Sequence, residues 1–210
     1  QALDLAFDFE WSNRNLFFGL YQRTASFFEN SDMMAVGKPS PEEVALLEPF
    51  KAQLPVGVFG EVYVPPVTDG SGLPRENLRK AQGLLKEAGW TVDPKDRTLK
   101  NAEGKPFEFE MLLDAAAFER IAGPYVKNLK SIGIVASMRR VDPAQFELRM
   151  KTFDFDMTIE RFSLRLTPGI ELKNFWGSEA SKTDCSFNLA GIANPAVDAL
   201  ADRIVKAQTR

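Results

Sequence analysis

The chain of 210 residues contains no histidine. That absence removes Ser-His-Asp and Cys-His nucleophilic systems and histidine-based zinc sites together. Cysteine occurs once, at Cys185, so no internal disulfide can form and cysteine usage says nothing about the redox compartment. No stretch approaches the roughly 18 consecutive apolar residues of a membrane span. No signal-peptide pattern opens the chain either, because Asp4, Asp8 and Glu10 stand where a basic and then apolar stretch would be needed. A surplus of one charge is also missing: 26 basic and 29 acidic residues leave a net charge of −3. Phosphate surfaces need clustered, uncompensated Lys and Arg, and here the bases mix with acids, as in Arg75-Glu-Asn-Leu-Arg-Lys80. Nucleic acid is therefore not an expected partner, and no metal or cofactor is expected.

What is present is an ordinary globular composition, 44% hydrophobic and 26% charged, with a high phenylalanine count of 17. Leu3, Phe7 and Trp11 fall at helical spacing, which predicts one helix through this segment. A second helical stretch is expected over 13–20. Ser40-Pro-Glu-Glu43 is a capping box with proline at the first helical position, so a helix starts there and turns Val44, Leu47 and Phe50 inward. A Pro- and Gly-rich connector over 55–74 follows. The pattern over 75–88 predicts a helix with Leu78, Ala81, Leu84 and Leu85 on one face and Gly89 as its left-handed cap.

The alternation Phe107-Glu-Phe-Glu-Met-Leu-Leu113 reads as a half-buried strand, joined to 98–101 as a β-hairpin. A helix over 116–132, a strand over 134–141, a short helix capped by Asp142-Pro143 and a strand over 155–162 come next. Strand, helix, strand, helix, strand with short links is the pattern of a mostly parallel sheet. Thr167-Pro168 and Asn194-Pro195 each predict a helix start. Helical patterns run to both ends, so the chain reads as a segment cut inside helices.

Three blocks carry a further reading. They are Ala2-Leu-Asp-Leu-Ala-Phe-Asp-Phe-Glu-Trp11, Leu78-Arg-Lys-Ala-Gln-Gly-Leu-Leu-Lys-Glu-Ala-Gly-Trp90, and Leu129-Lys-Ser-Ile-Gly-Ile134 leading to Phe153-Asp-Phe-Asp-Met157. Asn194-Pro-Ala-Val-Asp-Ala-Leu200 completes the series. In this order they resemble the family 5 extracellular solute-binding proteins, the peptide receptors of ABC importers. Phe17-Phe-Gly-Leu-Tyr-Gln-Arg-Thr-Ala-Ser-Phe-Phe28, Arg161-Phe-Ser163 and Phe187-Asn-Leu-Ala-Gly-Ile192 resemble the Yej-type branch.

The resemblance implies an α/β lobe of periplasmic-binding-protein type II, its mixed, mostly parallel sheet flanked by helices. Residues 1–210 would form one ligand-binding lobe of a two-lobed receptor, truncated at both ends. It further implies a periplasmic location, a peptide or peptide-like ligand, an inner-membrane ABC permease as partner, and an N-terminal lobe of the same receptor closing over the ligand. One feature departs from the dipeptide receptors of the wider family. Thr167 stands where their loop carries the Asp that pairs with a peptide's ammonium group; Glu160 and Glu171 are both candidates for that role.

Ligand contacts are expected from loops beyond strand ends. Two segments qualify: 21–26, with Tyr21, Arg23 and Ser26, and 161–165, with Arg161, Phe162, Ser163 and Arg165. The Arg161 guanidinium suits a carboxylate or phosphate, against the plainer alternative of a surface salt bridge. Tyr21 and Phe162 can stack on a ligand or simply pack in the core. Asn188 can bond a peptide backbone or serve its own turn. Trp176 reads as core, and Phe17-Phe18 and Phe27-Phe28 as rings hard to bury completely. A carboxylate-dependent hydrolase using Glu108 with Glu110, or Asp154 with Asp156, is the enzyme alternative. A non-transport, chaperone-like peptide binder is the third. No catalytic residue is assigned.

Overall fold

The computed structural model describes residues 1–163 and 165–207. In chain order its first elements are α1 (Ala2–Leu5), α2 (Phe9–Asn15), α3 (Pro41–Leu47) and α4 (Arg75–Glu87). Then come β1 (Thr91–Val92), β2 (Leu99–Lys100), β3 (Glu108–Leu113), α5 (Ala116–Ser131) and β4 (Val135–Arg140). The last are α6 (Pro143–Lys151), β5 (Met157–Thr158), α7 (Glu171–Trp176) and α8 (Pro195–Lys206). The chain divides into two compact units. The first comprises Gln1–Arg23, Pro65–Glu147 and Phe155–Glu160, the second Thr24–Val64, Leu148–Asp154 and Arg161–Arg210.

The first unit is built on a three-stranded parallel sheet of order β4-β3-β5, in which Met111 lies opposite Met138 on one side and Met157 on the other. Parallel strands require a crossover, and α5 supplies it between β3 and β4. Leu78, Ala81 and Leu85 of α4 join Phe109, Val126, Leu129, Ile134 and Ala136 in one apolar core. Leu129 and Leu112 are fully buried. Burying each such leucine contributes about 2 kcal/mol.

Gly133 links α5 to β4 at φ +92, a conformation side chains avoid, and a Cβ there would lie 3.0 Å from both the Arg97 carbonyl and the Leu99 amide. The glycine of the Ile-Gly-Ile block is therefore needed for the α5–β2 approach, where the Leu99 amide donates to the Gly133 carbonyl at 2.6 Å. Gly89 takes φ +88 after α4, as the expected cap.

In the first unit the structure changes four expectations. The N-terminal segment is two helices, because Asp8 caps α2 by accepting from the Trp11 amide at 2.9 Å. Its other oxygen accepts from the Gly72 amide at 2.8 Å, so the break ties the N-terminus to the loop before α4. The second helical stretch ends at Asn15, ahead of left-handed Phe18 and Gly19. The hairpin over 98–113 survives as a single bridge, Lys100 to Pro106, since β3 takes its partners from the parallel sheet and β2 pairs with β1. The strand expected over 155–162 is ordered as such only at Met157–Thr158.

In the second unit the Ser40 capping box forms as expected, and Asn194 caps α8 through the Ala196 amide. The start predicted at Thr167 does not occur. Helix α7 begins at Glu171, whose own carboxylate accepts from the Gly169 amide at 3.1 Å.

Candidate functional site

In the second unit, α7 presents Phe175 and Trp176 at its C-terminal end, and rings from three other segments meet them. Phe162 and Phe187 approach Phe175 edge-on at 5.7 and 6.0 Å between centroids. Phe27 and Phe28 meet Trp176 at 5.1 and 6.4 Å. These are the separations and tilts that aromatic quadrupoles favour. The cluster is incompletely covered: Phe27 is 62% exposed and Phe187 54%. An apolar surface with ring edges and faces of several orientations can take varied side chains without demanding one shape.

Polar clips hold the loops that supply these rings. Ser26 Oγ accepts from the Phe28 and Ala35 amides at 3.2 and 3.3 Å, and Glu29 accepts from the Ala25 and Ser26 amides. Asn188, buried, donates to the Gly177 and Ile192 carbonyls at 2.9 and 2.7 Å and accepts from the Ile192 amide at 2.8 Å. Its three hydrogen bonds fix the turn that leaves the neighbouring Phe187 ring at the surface. Ser178 is held by Asp198 of α8 through its amide and hydroxyl.

The candidate residues accordingly take different places. Phe162 is half-buried in the ring cluster, while Arg161, Ser163 and Arg165 beside it are exposed. Ser26 and Asn188 hold backbone around the cluster. Tyr21 and Arg23 belong to the first unit. Tyr21 is 62% exposed, its ring edge-on to Phe17 at 4.8 Å and its backbone bracketed by the Asn13 side chain. Arg23 is engaged inside its unit: it pairs with Asp4 at 2.8 Å and lies over the Phe7 and Phe9 rings at 5.8 and 5.6 Å. Under the same residues, burial first and the Asp4 charge second push the Tyr125 hydroxyl up to about 12. Thr167 is exposed.

Phe175 and Phe187 were not singled out from sequence, and Trp176 reads there as plain core. The available signal was the phenylalanine excess around the Phe175-Trp176 pair. The carboxylates of the enzyme alternative have local partners. Asp154 accepts from Arg149 at 2.9 Å, Asp156 from the Glu110 amide at 2.9 Å, and Glu110 lies 3.9 Å from Arg139. Among the described residues no three Cys, Asp or Glu side chains gather to hold a metal ion, and no helix is long and apolar enough to cross a membrane.

Comparison with known proteins agrees with this architecture. The family model for bacterial extracellular solute-binding proteins, family 5 Middle, matches residues 1–183. The chain is 43% identical over its whole length to the probable peptide-binding protein YejA of Agrobacterium fabrum, covering 34% of that protein. It is 38% identical over 99% of its length to the uncharacterized protein YejA of Escherichia coli, again covering 34%. The chain thus spans about a third of the curated relatives it matches. Among solved structures, the oligopeptide-binding protein AppA of Bacillus subtilis, in complex with a nonapeptide, superposes with a TM-score of 0.68 over all of this chain and 36% of its own, at 21% identity. That likeness shows the fold, an α/β arrangement of periplasmic-binding-protein type II with a parallel sheet flanked by helices. The Agrobacterium relative is described as a probable peptide-binding protein, and the Yej-type resemblance drawn from the motifs is borne out. The chain belongs to the family 5 bacterial extracellular solute-binding proteins.

Proposed function

We propose that the chain is part of the receptor of an ABC importer, capturing oligopeptides or peptide-like compounds in the periplasm. It would supply one of two lobes that close on the ligand by hinge motion, the other lobe coming from the rest of the protein, before delivery to the permease. The observation that carries this reading is the part-exposed ring cluster of Phe27, Phe162, Phe175, Trp176 and Phe187 in a chain of this family. Ring surfaces tolerate varied side chains, and the guanidiniums of Arg161 and Arg165 near Phe162 suit a group that every free peptide carries, its terminal carboxylate. In this reading the protein binds and releases its ligand unchanged, so catalysis by the Glu108–Glu110 or Asp154–Asp156 carboxylates plays no part.

Native mass spectrometry of the complete receptor, purified without refolding, tests it by weighing the ligand that remains bound. A ladder of peptide masses is expected. Calorimetry with one of those peptides should then show about tenfold weaker binding for Arg161→Ala, the order for losing one charge-assisted contact. Hydrolysed peptide in the sample, or a bound ligand that is neither a peptide nor peptide-like, would sink the proposal.

A further inference from the structure

Helix α4 carries a feature that ligand capture at the ring cluster does not use. Leu73, Arg75, Leu78, Arg79, Gln82, Ser131 and Ile132 line an open surface hollow of about 210 Å³ in the first unit. Its floor is apolar, from Leu73, Leu78 and Ile132, and its rim carries two guanidiniums, an amide and a hydroxyl. Arg75 and Arg79 stand four residues apart, which places them side by side on one helix face. Neither has a hydrogen bond or ion pair among the described residues. Glu76, the acid nearest in sequence, is engaged by Lys80 at 3.0 Å. Like charges at this spacing oppose the helix, so a bound anion relieves a repulsion that the chain leaves uncompensated.

Size and charge together select the occupant. Pockets for free small molecules usually run from about 300 Å³ upward, and this one is smaller. It accommodates one or two side chains presented by another protein. Two adjacent forks match a carboxylate bidentately, and the apolar floor asks for an aliphatic neighbour beside it. We infer that the Arg75–Arg79 face of α4 is a docking site for a short acidic-aliphatic segment of a partner protein, with Glu or Asp on the guanidiniums and Leu, Ile or Val on the floor.

The test uses the complete protein and a fluorescently labelled peptide, acetyl-Leu-Glu-Glu-Leu-amide, followed by anisotropy at low and at physiological salt. Both peptide ends are blocked, so recognition of a free terminus by the proposed receptor site does not contribute. Saturable binding is expected, weakened about tenfold by Arg75→Ala with Arg79→Ala, the scale of losing a bidentate charged contact. It should fall again as salt screens the exposed charges. The corresponding probe with Gln in place of Glu should bind the unaltered protein equally poorly, a control that does not depend on the variant folding. The inference is overturned if the acidic probe shows no saturable binding up to about 1 mM, or if the double variant and the Gln probe both bind as before. Displacement of the probe by inorganic phosphate at similar concentration would also overturn it, because the site would then be one for small anions. So would failure of a maleimide to label Arg79→Cys in a Cys185→Ser background, since the rest of the protein would then cover this face.

Discussion

The two units hold themselves together by different means. In the first, apolar side chains from α4, α5 and the parallel sheet fill a continuous core with residues such as Leu85, Leu129 and Ile134. In the second, the buried apolar residues among those described are Leu172 and the small Ala180, Ala196 and Ala201. Larger volume is supplied there by half-covered aromatic rings, and order by buried polar clips at Ser186 and Asn188. A core of interlocking aliphatics resists deformation because every volume change is felt. Rings meeting edge-on over fixed turns leave apolar area at the surface, where a ligand can complete the packing. The difference teaches where adaptability can reside: rigidity follows the leucines, and accessible apolar surface follows the incompletely buried rings.

The sharpest way to break that contrast is to open the leucine core. Leu129→Ala is expected to cost about 2–5 kcal/mol, from lost transfer energy plus the cavity left behind. Hydrogen exchange of the complete protein should show the loss across β3, α5 and β4, with the amides of α7 and α8 little changed. Equal acceleration in α8 would mean that the two units do not differ in the way described.

The complementary change is Asn188→Ala. It leaves the Ile192 amide and the Gly177 and Ile192 carbonyls without their side-chain partner, which costs about 1–3 kcal/mol. The expected signature is faster exchange over 177–192 and weaker peptide binding, because Phe187 loses its fixed base. Ser40→Ala should cost less, about 1 kcal/mol, since it removes the hydroxyl that caps α3 at an exposed helix end. Loss of protection beyond 41–53 in that variant would show that the cap supports more than its own helix.

The same contrast explains what could be read from the chain alone. Helices α4 and α5 have apolar periodicity matching their burial, so Leu78, Leu85 and Leu129 announce themselves. The Ser40 and Asn194 caps are local chemistry and equally visible. The break at Asp8 is invisible to periodicity: its cap on the Trp11 amide is local, but the partners that also hold the carboxylate, Thr68 and Gly72, lie about sixty residues away in sequence. Strand pairing of β3 was misassigned for a similar reason: a neighbouring turn suggested a hairpin, and distant parallel partners prevailed. In the candidate site, loop position drew attention to Phe162, which joins the ring cluster, and to Arg161, which is exposed beside it. Phe175 and Phe187 were not legible, since a ring's exposure depends on which other rings reach it. Ser26 and Asn188, expected to contact a ligand, bond backbone groups of nearby residues in the same unit, Phe28 and Ala35 for Ser26 and Gly177 and Ile192 for Asn188.

The smallest effect should come from the surface turn between β1 and β2, where an ion-paired Lys100 faces water. Lys100 bonds Asp93 at 2.8 Å and Asp96 at 2.6 Å. The Lys100 hydrogen bond first, and Thr98 second, hold the Asp96 carboxyl well below the usual carboxylate range. Asp93 is lowered as well, chiefly by Lys100, and Lys100 is raised in return, by Asp93 first and Asp96 second. A depressed carboxyl stabilises the fold above its ordinary value of 3.8 and loses that contribution as pH falls through the folded value. A raised ammonium contributes below 10.5 and loses it as pH climbs through its own folded value. Asp96→Asn should therefore lower the melting temperature slightly on the neutral plateau and converge with the unaltered protein at both extremes. Because the groups face water, 0.5 M salt should shrink the difference further, screening over a Debye length of about 4 Å. A melting difference that persists undiminished at about pH 1 would show that Asp96 acts through its shape in the turn, by its bonds to Thr98, and that charge is not what orders this end of the first unit.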